Sequence, residues 1–238
     1  MSISKDLNVN HSDSEEHELT PNTYLPGGTL ITIFGSLSSY VVEASKTSDK
    51  LGQWNAIKLK HEKKIIIVIN LHRTPDGPGR GLKTCLSQHN RTTVIEHTAR
   101  KHRKDLLKDI KKYLHEINED KEIIIAGDFD QATGGDEMQR FYREIGVKDA
   151  LWCHDHTPWN VRDVTFKRGS RCIDTIAISD GLMICLEGHE VIDWDEKIKN
   201  DHRGHAIDLN LEDFFQESVS KSDCCNRTRL DPGRSSHR

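Results

Sequence analysis

The sequence predicts an α/β sandwich, packed sheets with helices outside, rather than a doubly wound parallel sheet. Three observations support this. Short β-branched runs cluster at both ends of the central region, over 29–71 and 164–211. Two helical patterns, 92–117 and 136–146, lie between those clusters. A single apolar run, 122–129, separates the two helices. The order strands, helix, strand, helix, strands lacks the steady alternation of a doubly wound sheet.

Residues 1–24 are polar and set one lysine against Asp6, Asp13, Glu15, Glu16 and Glu18, so they are expected to be a disordered acidic lead-in. TLITIFG (29–35), WNAIKLK (54–60) and KIIIVINL (64–71) are short and β-branched, as strands are. Residues 92–117 carry Val94, Leu106, Leu107, Ile110, Tyr113, Leu114 and Ile117 at helical spacing in the later turns. EIIIAGDF (122–129) fits a buried strand, and DEMQRFYREIG (136–146) a second helix with Gly146 as its C-cap. VTF (164–166), CIDTIAIS (172–179), LMICLE (182–187) and HAIDLNL (205–211) are strand-like. The division is a domain over 25–213 and a flexible tail over 214–238.

A chain of 238 residues can bury one ordinary domain core. Hydrophobic content is 34%, charged content 30% and net charge −4, so the chain is not a polycation, and any nucleic-acid binding must rest on local patches or bound metal. No run approaches the roughly 18 apolar residues of a membrane span, and the N-terminus has no secretory apolar core. The six cysteines show no CxxC pair, which favours a reduced, intracellular protein of nucleus or cytoplasm.

Four short motifs can carry chemistry. In Gly127-Asp128-Phe129-Asp130, strand alternation would put both aspartates on one side, where a hard cation such as Mg²⁺ or Mn²⁺ would offset their cost. An ordinary strand end is the competing account of those four letters. Asn200-Asp201-His202 sets a carboxylate beside an imidazole that can take a proton or meet a phosphate, or is a solvated loop. Asp174, heading CIDTIAIS, can orient a histidine ring or form a salt bridge. Asn70 and His72 share a face where KIIIVINL ends. Arg100–Lys104 is taken as a solvated helix face, with nucleic acid as the alternative, and His154-Asp155-His156 as loop.

The order NLHR, long helix, GDFD, RCID, NDH, together with YLPGGTLITIFG and LGQW, resembles the exonuclease–endonuclease–phosphatase superfamily over about residues 24–212. This family holds deoxyribonuclease-I-like enzymes, abasic-site endonucleases and retrotransposon endonuclease domains. The resemblance implies a four-layer α/β sandwich of two packed mixed sheets flanked by helices, here with its first strands missing. It assigns Asp128 to the attacking water, Asp130 to phosphate or metal, Asp201 to metal, and His202 to proton transfer or phosphate contact. Asp174 would orient His202, His72 would face the phosphate, and Asn70 and Thr165 fall at substrate-side positions.

Two departures stand out. The family reads GD-x-N where this chain has Asp130, and an ionised Asp repels a phosphate unless a cation bridges it. The upstream strands carrying an Asn and a metal-binding Glu are not matched, so a second chain could supply them. The expected activity is a Mg²⁺- or Mn²⁺-dependent phosphodiester hydrolase, a DNA endonuclease of retroelement type. The alternatives are an impaired remnant that binds nucleic acid or a protein, and a phosphatase on a small or lipid phosphate ester.

Overall fold

In the computed structural model the chain is described over residues 8–12, 28–49, 52–74, 102–151, 164–194 and 201–216. The central element is a six-stranded mixed sheet of β3 (Thr47–Ser48), β4 (Trp54–His61), β5 (Lys64–His72), β6 (Glu122–Asp128), β8 (Asp174–Ser179) and β7 (Val147–Asp149), in that order. Only the β5–β6 pair is parallel. A parallel pair needs a long crossover, and α1 (His102–Glu116) lies within it.

Alternation sorts this sheet's side chains into two cores. Ile65, Ile67, Ile69 and Leu71 of β5 and Ile123 and Ile125 of β6 face one side. They pack on Leu106, Leu107, Ile110 and Leu114 of α1 and on Met138, Phe141 and Tyr142 of α2 (Asp136–Ile145). Ile66, Val68, Ile124, Ile176 and Ile178 face the other side, against Leu186, Ile207, Leu209 and Phe215. Both faces are buried, which is why β5 and β6 are continuous apolar runs rather than alternating ones.

A second, thinner layer lies over that other face. Its pieces are the antiparallel pairs β1 (Asn8–Ser12) with β2 (Thr29–Ile33), and β9 (Leu186–Ile192) with β10 (Gly204–Leu209). Asn55 and Asn70, neighbours across β4 and β5, donate their side-chain amides to the carbonyls of Thr29 and Leu30, tying β2 down. The chain is therefore an α/β sandwich with a large mixed sheet, a small second layer and helices, as expected.

The structure differs from the sequence expectations at four places. Asn8–Ser12, inside the stretch expected to be disordered, forms a backbone ladder on β2. Residues 182–183 of LMICLE belong to a short helix, α3 (Asp180–Met183), and the strand starts at Leu186. Glu122 explains this turn: its carboxylate accepts hydrogen bonds from the Ser179 hydroxyl and, at 3.1 Å, from the Gly181 N–H. VTF makes one isolated bridge, Phe166 to His202, instead of a strand. Beyond β10, α4 (Leu211–Gln216) carries the domain past residue 213 and buries Phe215 in the second core. Gly146 is the left-handed C-cap of α2, φ 73°, as predicted. Val94 and His154-Asp155-His156 lie outside the described residues. Among the described residues no helix is long and apolar enough to cross a membrane.

Candidate active site

Register creates the site. His72 on β5 pairs with Asp128 on β6, and Asp128 pairs with Asp174 on β8. Three neighbouring strands thus end with one polar side chain each, in a row, on the face covered by the thin layer. His202, just before β10, closes on that row from above. Its Nδ1 lies 3.0 and 3.1 Å from the two Asp174 oxygens. An ionised carboxylate only accepts, so Nδ1 carries the proton and Nε2 points elsewhere. Nε2 stands 3.9 Å from Asp128 Oδ2, and His72 Nε2 stands 4.0 Å from the same oxygen.

The electrostatics follow from burial and crowding. Burial, and then the neighbouring Asp174 charge, push the Asp128 carboxyl up to about 6. The hydrogen bond to Asp174 raises the His202 pKa above its ordinary value, against partial burial. Burial and the nearby His202 lower that of His72. Relative to the free side chains, the arrangement favours the protonated form of Asp128, the charged form of His202 and the neutral form of His72. Asp128, Asp174 and His202 each present a ligand atom, all within 4.8 Å of one another. Two crowded, mostly buried carboxylates are the donor set a hard divalent cation prefers and relieves, so a Mg²⁺- or Mn²⁺-type ion fits here. A cavity of about 200 Å³ opens beside them, lined by Gly127, Asp128, Asp174, Arg203 and His205 among others.

Asp130 and Asp201 stand outside this group. Asp130 does not share Asp128's face, because β6 ends at Asp128 and Asp130 turns left-handed, φ 47°. Its N–H donates to Asp128 Oδ1 at 2.7 Å and fixes that carboxylate. Its own Oδ2 accepts from Arg103 at 2.6 Å, and its carbonyl accepts from the same guanidinium at 2.9 Å. The cation that bridges Asp130 is therefore an arginine. Asp201 accepts from Arg168 at 3.0 Å, a pair in which Arg168 is 77% and Asp201 48% exposed. Thr165 is fully buried. Its hydroxyl accepts from the N–H groups of Ile173 and Asp174 at 2.9 and 3.1 Å, so it sets the backbone that aims Asp174. Asn70 sits one row below His72, its amide on the Leu30 carbonyl.

Sequence reasoning missed the arginines. Arg103, in the stretch taken as a solvated helix face, is only 16% exposed and also donates to the Thr74 carbonyl at 3.0 Å. Arg73 is completely buried and donates to the Arg103 carbonyl, Gln131 and Glu137 at 3.1, 2.7 and 2.9 Å. Together they lock the turn after β6 onto the start of α1. The aspartate at 130 was the available signal, since a half-buried carboxylate favours a cationic partner. Gly127 is also required: at φ 138°, a Cβ there would sit 1.9 Å from the Leu71 carbonyl oxygen.

Comparison with solved structures recovers the same architecture. The endonuclease domain of TRAS1, a telomere-specific non-LTR retrotransposon, superposes with a TM-score of 0.51 at 12% identity, covering 88% of this chain and 82% of that one. A 3′ phosphatase from Neisseria bound to product DNA hairpin gives 0.47 at 13% identity, covering 86% and 89%. An AP endonuclease from Leishmania major gives 0.48 at 13%, covering 68% and 56%. No protein-family model matches the sequence, and neither does any curated protein. The chain has the fold of the endonuclease/exonuclease/phosphatase enzymes.

Proposed function

We propose that this chain is a divalent-metal-dependent phosphodiester hydrolase that cuts DNA, an endonuclease of retroelement type. The observation that carries the reading is the row His72, Asp128, Asp174 with His202 closed upon it. Asp128, whose carboxyl is pushed up to about 6, is poised to take a proton from an attacking water near neutral pH. His202, whose charged form the Asp174 hydrogen bond favours, would direct its Nε2 toward an anionic oxygen beside Asp128. His72, kept neutral by burial, supports the same phosphate from the other side. Asp128 and Asp174 would hold the cation; of the further oxygens the resemblance assigns, Asp201 could join them on leaving Arg168, whereas Asp130 is turned away and held by Arg103. Such an ion would supply Lewis-acid neutralisation of charge developing on the phosphate.

The test is nicking of supercoiled plasmid by purified protein in Mg²⁺ or Mn²⁺, with EDTA as control. Metal-dependent nicking is expected, and His202→Ala and Asp174→Asn should each lower the rate by about 10²-fold or more. Nicking that survives both variants would sink the site assignment.

A second reading has one specific observation in its favour. Asp130 and Asp201, the two additional oxygen donors, are both engaged by arginines. A chain with weakened metal affinity would be a binding module that keeps the fold. A folded protein that binds DNA but never nicks it would establish this reading instead.

A further inference from the structure

Two histidines meet in the thin layer. His205 lies on β10 opposite Val191, and His189 lies on β9 opposite Ile207. Ile207 and Leu209 pack in the second core, so strand alternation turns His205 toward the large sheet, and register turns His189 the same way. Both imidazoles thus stand half-buried among aliphatic neighbours, at positions where a valine or isoleucine would serve packing better.

The His205 Nδ1 and His189 Nε2 atoms are 3.4 Å apart, with ring centroids 5.5 Å apart and planes at 61°. As a hydrogen bond this is long, against about 2.7–3.2 Å for a usual N–H donor. It matches two ligands on one ion: a tetrahedral Zn²⁺ with Zn–N of about 2.0–2.1 Å sets its nitrogens about 3.3–3.4 Å apart. His205 also lines the cavity of about 200 Å³ beside Asp128 and Asp174, so the pair adjoins space for an ion and its waters. Arg203, the cation lining that cavity, is held by Asp193 at 2.9 Å and lies 4.4 Å over the Trp194 ring.

We propose that His189 and His205 bind a transition-metal ion of the Zn²⁺ class, with water completing its shell, at a site distinct from the carboxylate row. Donor chemistry separates the two. Carboxylate oxygens suit Mg²⁺ and Mn²⁺, whereas a pair of imidazoles suits Zn²⁺, Ni²⁺ or Cu²⁺. The proposal does not depend on which bond, if any, the row cuts. An ion on both rings joins β9 to β10 through side chains as well as backbone, and so steadies the strand that follows His202.

The experiment is calorimetric titration of the full chain with Zn²⁺ in excess Mg²⁺, so that the row is offered the ion its oxygens prefer. The variants are His189→Gln and His205→Gln, with His115→Gln, an exposed histidine on α1, as control. One Zn²⁺-binding event should weaken at least about tenfold in each variant of the pair, since removing even an outer partner of a metal ligand costs about 10–100-fold. That event should be unchanged in His115→Gln and in Asp128→Asn/Asp174→Asn. A second measurement needs no variant. In hydrogen exchange of the unmodified chain in Mg²⁺, added Zn²⁺ should slow the amides around His189 and His205 more than any others in the described strands. Zn²⁺ binding that survives both variants of the pair, or that vanishes when Asp128 and Asp174 are replaced, overturns the proposal. Zn²⁺ that leaves the exchange of those amides unchanged does so as well.

Discussion

Asp128 shows how a position proposed as catalytic costs stability. It is 19% exposed, and the His202 and His72 nitrogens stand 3.9 and 4.0 Å from its carboxylate. Folding raises its pKa from 3.8 to about 6. The folded state therefore favours the protonated acid. The contribution to stability is fully present below about pH 4, is lost as pH rises through about 6, and is gone at neutral pH. At about 1.4 kcal/mol per pKa unit, the ionised group costs on the order of 2–3 kcal/mol at pH 7.5. Asp128→Asn keeps the acceptor for the Asp130 N–H and removes the charge. It should raise Tm at pH 7.5 without metal by several degrees, and much less at pH 4. Calorimetry at the two pH values checks this, and an equal shift at both would contradict the burial account. His202 shifts stability in the same direction for a different reason, a hydrogen bond that favours its charged form: its raised pKa gives stability that is complete below about 6.5 and is lost as pH rises through the folded value.

At the scale of elements, the junction of β5 and β6 is the tightest constraint. The two strands approach so closely that Gly127 leaves no space for a methyl group. Gly127→Ala should cost well over about 3 kcal/mol, since it adds a backbone clash to a left-handed penalty of about 1–2 kcal/mol. Gly146→Ala should cost only about that penalty, because nothing lies within 4 Å of a Cβ there. Denaturant unfolding of the pair checks the contrast, and similar losses would mean the approach relaxes. This junction also shows what the sequence made legible. The run at 64–71 announced a strand and that at 122–129 a buried strand, and their consecutive apolar residues fit a sheet covered on both faces. GDFD and RCID announced carboxylates at strand ends. Asp130 and Arg103 were misjudged because alternation was extended past the strand's end. A left-handed residue breaks the period of two, and a helix arginine can fold back on it. The LMIC turn was hidden because Glu122, far away in sequence, sets it.

At the scale of the molecule, the site sits between two layers of unequal strength. Asp128 and Asp174 belong to inner strands of the large sheet, hydrogen-bonded on both sides and covered by two cores. His202 belongs to a two-stranded piece whose outward residues alternate with half-buried ones. Local stability should follow this difference. In hydrogen exchange, the amides of β5 and β6 should be slowest, while β9 and β10 exchange orders of magnitude sooner through opening of the thin layer alone. A cation held between Asp128, Asp174 and the Nε2 of a deprotonated His202 would tie the layers together and stabilise only the state in which they are closed. Adding Mn²⁺ should therefore slow exchange most at the start of β10 and in β9, with the large sheet gaining less. Protection that rises uniformly, or β10 as slow as β5 before metal is added, would show that the layers open as one unit and that closure of His202 on the row is not a separate step.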